Sequence, residues 1–265
     1  MLANKDITSC LEEAEVILFD LDDTLLMSTH ADKIAISESF KILKEYVIAK
    51  DFPTDRWSND DLWNKLIRIK DKKFPDRPHP DYDLFSELMR DLGFCDKNGR
   101  VNSKEVSRMN FIYQEISRVS QRLYPDVIPF IKNLLVKLQI PLGIITNGDT
   151  YYQNSKLIKC GIVDFFETIV ISDEIGMRKP DPDIFRYTCD SLGANIDKSI
   201  FIGDRPDRDI KGANDAGMVS IRIKRADGKY GDIELISPDM KPMFEYESLD
   251  EINKHLLSIS IDTAK

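Results

Sequence analysis

Val16-Ile17-Leu18-Phe19-Asp20-Leu21-Asp22-Asp23-Thr24 is the stretch whose reading decides the fold. Four apolar residues run together and stop abruptly at an acid. A run this short, apolar on both faces, predicts a buried parallel strand ending at a polar turn. Such a strand needs partners in the same sheet, and none follows for about a hundred residues.

Downstream of Thr24 the pattern turns helical. Ile36, Phe40, Leu43 and Val47 recur at spacings of four, three and four, which puts one apolar face on a helix. Trp57 to Phe74, Asp81 to Leu92, and a stretch marked by Met109, Tyr113, Ile116 and Leu123 read as three more helices. From Pro125 the rhythm alternates. Val127 to Leu138 reads as a helix, with Pro125 and Pro129 near its start, where proline is tolerated. Leu142 to Ile145 reads as a strand. Thr150 to Lys159 reads as a helix closed by Gly161. Thr168 to Ile171, Ser199 to Ile202 and Val219 to Ile223 are further strands, with Pro182 to Leu192 and Ile210 to Ala216 as the helices between. Arg225 to Lys241 reads as a polar loop or an edge excursion, Met243 to Tyr246 as a last strand and Leu249 to Leu257 as a last helix. Strand and helix in alternation predict a doubly wound, Rossmann-like α/β core with a parallel sheet. The expected division is a core from 1–25 and 124–265, interrupted by an all-helical block over 26–123.

The bulk numbers agree with such a chain. It has 265 residues, 42% hydrophobic and 31% charged, and a formal net charge of -9. That is enough chain for one domain with a large insertion. The acidic balance argues against nucleic acid and anionic membranes as partners. No apolar stretch approaches the roughly 18 residues a membrane span needs. Met1 to Glu15 contains acids and no apolar core, so no signal peptide is expected. Cys10, Cys95, Cys160 and Cys189 form no CxxC pair, which predicts reduced thiols and a cytoplasmic setting.

In an open parallel sheet, ligands bind outside the carboxyl ends of the strands. Here those ends are chemically capable. They carry Asp20-Leu21-Asp22-Asp23-Thr24, Thr146-Asn147-Gly148-Asp149, Arg178-Lys179-Pro180-Asp181 and Gly203-Asp204-Arg205-Pro206-Asp207-Arg208-Asp209. Several carboxylates brought together repel unless a cation joins them. Oxygen-only ligands suit Mg²⁺, which also binds substrate phosphate. The Thr146 hydroxyl, the main-chain amides around Asn147 at a helix start and the Lys179 ammonium suit phosphoryl oxygens. An aspartate is ordinarily ionised at neutral pH, so Asp20 needs no base to act as a nucleophile on phosphorus. Asp22, two residues on, is placed to protonate the leaving oxygen and then to deprotonate water.

At these residues the sequence resembles the haloacid dehalogenase superfamily. Its first motif, DxDx[TV], reads DLDDT here, after the apolar ILF. Its strand-terminal Ser or Thr falls in ITNG, its lysine in GMRKPDPDIF, and its acidic motif in GDRPDRD. The four occur in order. The resemblance implies residue roles. Asp20 is nucleophile and metal ligand. Asp22 is general acid and base, with its main-chain carbonyl on the metal. Asp204 is the third protein ligand, Thr146 and Lys179 hold the phosphoryl oxygens, and the helical block over 26–123 looks like the family's all-helical cap domain. Asp209 orients the metal's waters or Lys179, and Thr24 supports the turn. Dehalogenases of the family usually lack the second Asp, so Asp22 favours a phosphatase acting on a small phosphorylated metabolite through an aspartyl phosphate. A phosphomutase, or a phosphate- or metal-binding protein without turnover, is the alternative. Oligomeric state is not legible.

Each segment also has a plainer reading. Asp20 to Thr24 read alone is a solvated turn. Thr146-Asn147-Gly148 is an ordinary strand-to-helix connection, and Lys179 a surface lysine. The run from Asp204 to Asp209 lacks the glycine and terminal glutamate of a calcium loop. Asp23, Asp149, Asp181, Asp183 and Asp207 are expected to serve turns and helix starts. In the helical block, Lys70, Lys72, Lys73, Arg77 and His79 read as a solvated basic face, Trp57 and Trp63 as packing, and His30 as the residue nearest the first motif.

Overall fold

The structure, a computed structural model, describes residues 6–48, 58–73, 82–231 and 237–260. The chain forms two compact units, Met1–Thr29 with Arg122–Lys265, and His30–Gln121. In chain order the elements are α1 (Ile7–Glu13), β1 (Val16–Phe19), α2 (Ser28–Ile48), α3 (Asn59–Lys73), α4 (Tyr82–Asp91), α5 (Ser103–Ser120), α6 (Val127–Lys137), β2 (Leu142–Thr146), α7 (Thr150–Cys160), β3 (Thr168–Ile171), α8 (Ser172–Ile175), α9 (Pro182–Ser191), β4 (Ser199–Gly203), α10 (Lys211–Ala216), β5 (Val219–Ile223), β6 (Phe244–Tyr246) and α11 (Leu249–Ser258).

The interrupted unit holds a six-stranded sheet in the order β3-β2-β1-β4-β5-β6. Every pairing in it is parallel. β1 sits between β2 and β4, where strand order reverses, which is where open α/β sheets bind ligands. Phe19 pairs with Ile144 on one side and Ile202 on the other. That register brings Asp20 level with the end of β4. Alternation sends Val16 and Leu18 to one face and Ile17 and Phe19 to the other. The first face is covered by Ile184, Phe185 and Cys189 of α9 and Ala213 and Ala216 of α10. The second is covered by α1, α6 and α11 through Leu11, Phe130, Ile131, Ile252 and Leu256. With both faces covered, β1 is fully buried and reads as an unbroken apolar run, whereas β5 also buries Ser220 and Arg222.

The other unit is helical. α2, α3, α4 and α5 close around Ile36, Leu66, Phe85, Leu88, Met109 and Tyr113. Trp63 packs in this core, as its sequence reading expects. His30 and Lys72 are exposed, and Lys73 pairs with Glu87. Lys70 is buried rather than part of a solvated face. It lies on the same helical stripe as Leu62, Trp63 and Leu66, which carries its stem into the core. Trp57, Phe74, Arg77 and His79 lie outside the described residues.

Several elements were not anticipated, among them the four-residue α8 (Ser172–Ile175). α1 is seven residues long, capped by the Asp6 carboxylate accepting from Ser9 N at 2.9 Å. A single π-helical turn, Pro206–Ile210, precedes α10. No described helix is long and apolar enough to cross a membrane.

Candidate active site at the carboxyl ends of β1 and β4

Asp20 leaves β1 with its amide still donating to Ile202 O at 2.9 Å, so the strand delivers it directly beside β4. Asp204 leaves β4 one residue after Gly203. Asp209, in the π-helical turn, is buried and meets Lys179 at the same place. Asp20, Asp204 and Asp209 each present an oxygen within 4.8 Å of the others, and all three are buried. Asp22 is outside this carboxylate cluster.

The electrostatics follow from that crowding. Burial pushes Asp20 up to about 7; Lys179 opposes this, while Asp209 and Asp22 push further. Asp204 is raised well above the usual carboxylate range by burial and by the neighbouring Asp209, Asp20 and Asp23. The ordinary pKa of an aspartate therefore does not apply to Asp20, and its ionisation at neutral pH depends on nearby positive charge. One such charge is Lys179, whose Nζ lies 2.5 Å from Asp20 Oδ1 and 2.7 Å from Asp209 Oδ1. Burial pulls the lysine's pKa down, but these two carboxylates outweigh it and leave the ammonium above its usual value. A second positive charge is invited by Asp204, whose Oδ2 is buried with no hydrogen-bond partner. An orphaned carboxylate oxygen among hard oxygen donors fits a divalent cation such as Mg²⁺.

The remaining sequence candidates are arranged around this cluster. Thr24 is buried and its hydroxyl donates to Asp20 Oδ2 at 3.4 Å. Thr146 ends β2 and is buried. Asn147 clamps Lys179 through its side chain. Its Nδ2 donates to Lys179 O at 2.8 Å, and its Oδ1 accepts from Lys179 N at 2.9 Å. The amides expected at a helix start sit earlier than the helix does. α7 begins at Thr150 because Asp149 caps it, accepting from Tyr152 N at 2.8 Å. Gly148 N, in the turn before, donates to Ser172 Oγ at 3.0 Å.

The turn from Asp20 to Thr24 is braced. Leu25 N and Leu26 N both donate to Leu21 O at 3.0 Å. Asp23 takes a positive φ of 55°, costly for a non-glycine residue. Its buried carboxylate, pushed up to about 6 by burial, accepts from Thr29 N at 2.8 Å and Thr29 Oγ at 2.6 Å. It thus serves the start of α2, the kind of role expected for it. Asp207 instead pairs with Arg205 at 2.7 Å.

Three residues that the sequence reading passed over meet Asp22. Lys156 Nζ lies 2.6 Å from its Oδ1 and Gln153 Nε2 2.9 Å from its Oδ2. Ser28 Oγ also donates to Oδ1. Gln153 Nε2 reaches Thr146 Oγ as well, at 2.5 Å.

Known proteins resemble this chain over most of its length. The family model of haloacid dehalogenase-like hydrolases matches residues 14–217. The glyceraldehyde 3-phosphate phosphatase of Methanopyrus kandleri is 34% identical over 238 residues, covering 90% of this chain and 95% of that protein. The human N-acylneuraminate-9-phosphatase is 26% identical, covering 78% of this chain and 81% of that protein. Among solved structures, the magnesium-bound HAD-hydrolase YfnB of Bacillus subtilis superposes with a TM-score of 0.67 at 22% identity, covering 92% of this chain and 99% of that one. A family match across most of the chain, joined to a relative this similar along nearly its whole length, means that the chain belongs to the haloacid dehalogenase-like hydrolases.

Proposed function

We propose that Asp20 attacks the phosphorus of a small phosphorylated metabolite, with Asp22 as acid and base and Mg²⁺ as cofactor. The chain is a phosphatase, a phosphoric monoester hydrolase, as its named relatives are. The observation that carries the residue assignment is the placement of Asp20. Its carboxylate lies in a buried cluster with Asp204 and Asp209 and is held by Lys179 at the reversal point of the sheet.

The reaction divides in two. An Asp20 carboxylate oxygen forms a bond to phosphorus as the ester oxygen leaves, and Asp22 gives that oxygen its proton. Water then attacks the aspartyl phosphate, its proton passes to Asp22, and the Asp20–phosphorus bond breaks to release phosphate. Thr146 and Lys179 hold the phosphoryl oxygens, and Asn147 fixes Lys179 from behind through its main chain. Asp20, Asp204 and the Asp22 carbonyl are the cation ligands in this reading. Asp209 orients Lys179, since its Oδ1 meets that ammonium and its Oδ2 accepts from Arg205 N at 3.0 Å. A bound Mg²⁺ supplies the charge that keeps Asp20 ionised and stabilises the transferring phosphoryl group.

We read the helical unit as the cap that selects the substrate. The four free cysteines support a reducing, cytoplasmic setting.

The test is phosphate release from an aryl phosphate and a panel of phosphomonoesters, with Mg²⁺ and with EDTA. Glyceraldehyde 3-phosphate and N-acylneuraminate 9-phosphate belong on that panel because relatives carry those names. Release that needs Mg²⁺ and vanishes in Asp20→Asn is expected. Normal activity in Asp20→Asn rules the assignment out.

A further inference from the structure

Helix α7 buries two polar side chains and exposes two large apolar ones. Its outer face carries Tyr151 and Ile158, 77% and 71% exposed, while Gln153 and Lys156 are 0% and 1% exposed. A helix packed on a sheet normally buries its apolar side chains and exposes its polar ones. Lysine in particular is almost never buried this fully unless paired. Gln153, Lys156 and Leu157 stand at i, i+3 and i+4, so all three share one face. Leu157 packs into the core. The other two face Asp22.

The contacts are specific at both carboxylate oxygens. Lys156 Nζ holds Oδ1 at 2.6 Å, and Gln153 Nε2 holds Oδ2 at 2.9 Å. Both donors come from a single helix, one turn apart, so they move together. Gln153 has one acceptor and two N–H donors on its amide. Both Asp22 oxygens accept here, Oδ1 from Lys156 and Oδ2 from the Gln153 amide, whose nitrogen is turned toward it. The same nitrogen then donates to Thr146 Oγ at 2.5 Å. With that oxygen serving as acceptor, the Thr146 proton is directed to another partner, as a group that donates to a phosphoryl oxygen requires.

This arrangement has a cost that the fold accepts. Gln153 Oε1 is left buried with no partner. It also demands space. A Cβ on Gly148 would lie 3.0 Å from Gln153 Cγ and 3.1 Å from its Cδ. A larger residue there would press the amide out of line. Neither feature helps a helix that only fills the sheet's flank.

We propose that Gln153 and Lys156 are positioning residues for the phosphatase reaction, holding the Asp22 carboxylate and the Thr146 hydroxyl as one hydrogen-bonded unit. This rests on the reading of Asp22 as acid and base. In that reading, loss of the pair leaves Asp20 able to take the phosphoryl group from a good leaving group. It impairs the second half, where Asp22 must receive a proton from water.

The experiment compares wild type, Lys156→Met, Lys156→Arg, Gln153→Met and Lys159→Met. Lys159 is exposed on the same helix and serves as the control. The probes are p-nitrophenyl phosphate in stopped flow, glycerol phosphate in steady state, and a thermal melt of each protein. Lys156→Met and Gln153→Met should lose turnover on the order of 10-fold to 10²-fold, a part of what acid–base catalysis contributes. KM should change little. Lys156→Met should still release about one equivalent of nitrophenol in a burst before the slow phase. Lys156→Arg should recover part of the rate, and Lys159→Met should match wild type. If Lys156→Met does not fold, Gln153→Met carries the test, because it exchanges uncharged side chains of similar length. The proposal is overturned if wild type turns over and the folded variants keep its turnover on both substrates. It is also overturned if the rate lost matches only the fraction of protein unfolded. An inactive wild type on every substrate would instead sink the phosphatase assignment, and the proposal with it.

Discussion

Asp126 and Arg225 form a forked ion pair inside the α/β unit. Nη1 lies 2.6 Å from Oδ2 and Nη2 3.0 Å from Oδ1. Both side chains are buried, and the guanidinium lies 3.9 Å over the Tyr124 ring. Arg225 Nη2 also donates to Thr24 O at 2.9 Å, and Asp126 Oδ2 accepts from Leu249 N at 2.8 Å. The pair thus ties the turn that carries Asp20 and Asp22 to the starts of α6 and α11. Removing one partner strands a charge in the interior. Asp126→Ala should cost about 3–5 kcal/mol of stability, as broken buried pairs do. Urea denaturation measures this, and a loss below about 1 kcal/mol would mean the pair is solvated like a surface one.

Lys179 is the cation that lets Asp20 and Asp209 approach each other. Lys179→Met removes both that charge and a donor to the phosphoryl group. Turnover should fall by at least about 10²-fold, the usual loss for one preorganised donor. Melting temperature in EDTA should also fall, because two buried carboxylates lose their partner. Steady-state kinetics and a melt read the two effects separately. Activity within a few-fold of wild type would remove Lys179 from the reaction.

The strand ends were legible because both physical signals lay in the local sequence. β1 and β4 are apolar on both faces and stop at Asp20 and at Gly203-Asp204, so burial and its end coincide with a change of residue type. Gln153, Lys156, Arg222 and Arg225 were not legible for the opposite reason. Each is buried, yet polar residues in a helix or loop, or at alternate positions of a strand as Arg222 is, read as solvated when only periodicity is available. The loop reading of Arg225 to Lys241 conceals that Arg225 is an interior residue. A clue for α7 was present. Tyr151 and Ile158 lie seven apart on one face, and the face opposite carries the amide and the ammonium. α1 has apolar residues at Ile7, Cys10 and Leu11, a helical spacing too short to stand out among its neighbours.

Stability should depend on pH and Mg²⁺ together. Asp20 is raised from 3.8 to about 7 and Asp23 from 3.8 to about 6, each chiefly by burial, and Asp204 moves the same way. For carboxyls whose folded pKa is raised, the folded state binds more protons than the unfolded one between the two values. Their contribution to stability is then full below about 3.8 and is lost as pH rises through 6 to 7. In EDTA, melting temperature should drop across pH 5 to 8. Added Mg²⁺ should raise it, and more so at pH 8 than at pH 5, because protons compete with the cation for the same oxygens. Asp204→Asn should flatten both trends. A Mg²⁺ shift that is constant with pH would show that the cation binds elsewhere.

Gly203 ends β4 where no side chain fits. A Cβ there would lie 2.6 Å from both Cβ and Oδ2 of Asp209 and 2.7 Å from its Cγ. Real Cβ atoms do not approach that closely, so Gly203→Ala must displace Asp209 or the strand end. Asp209 cannot yield cheaply. It is 1% exposed, one oxygen meets Lys179 and the other accepts from Arg205 N. Any shift is passed to Lys179 and from there to Asp20. Gly203→Ala should therefore lose turnover on the order of 10²-fold, the effect of small misplacements in a catalytic site. Its overpacking should cost about 1–3 kcal/mol. Gly193→Ala provides the contrast. That glycine has a φ of +66° and nothing within 4 Å of an added Cβ. It should cost about 1–2 kcal/mol through the left-handed backbone alone and leave kcat unchanged. Measuring kcat and urea stability for both variants separates strain from misplacement. If Gly203→Ala loses only stability, as Gly193→Ala should, then Asp209 does not set the position of Lys179.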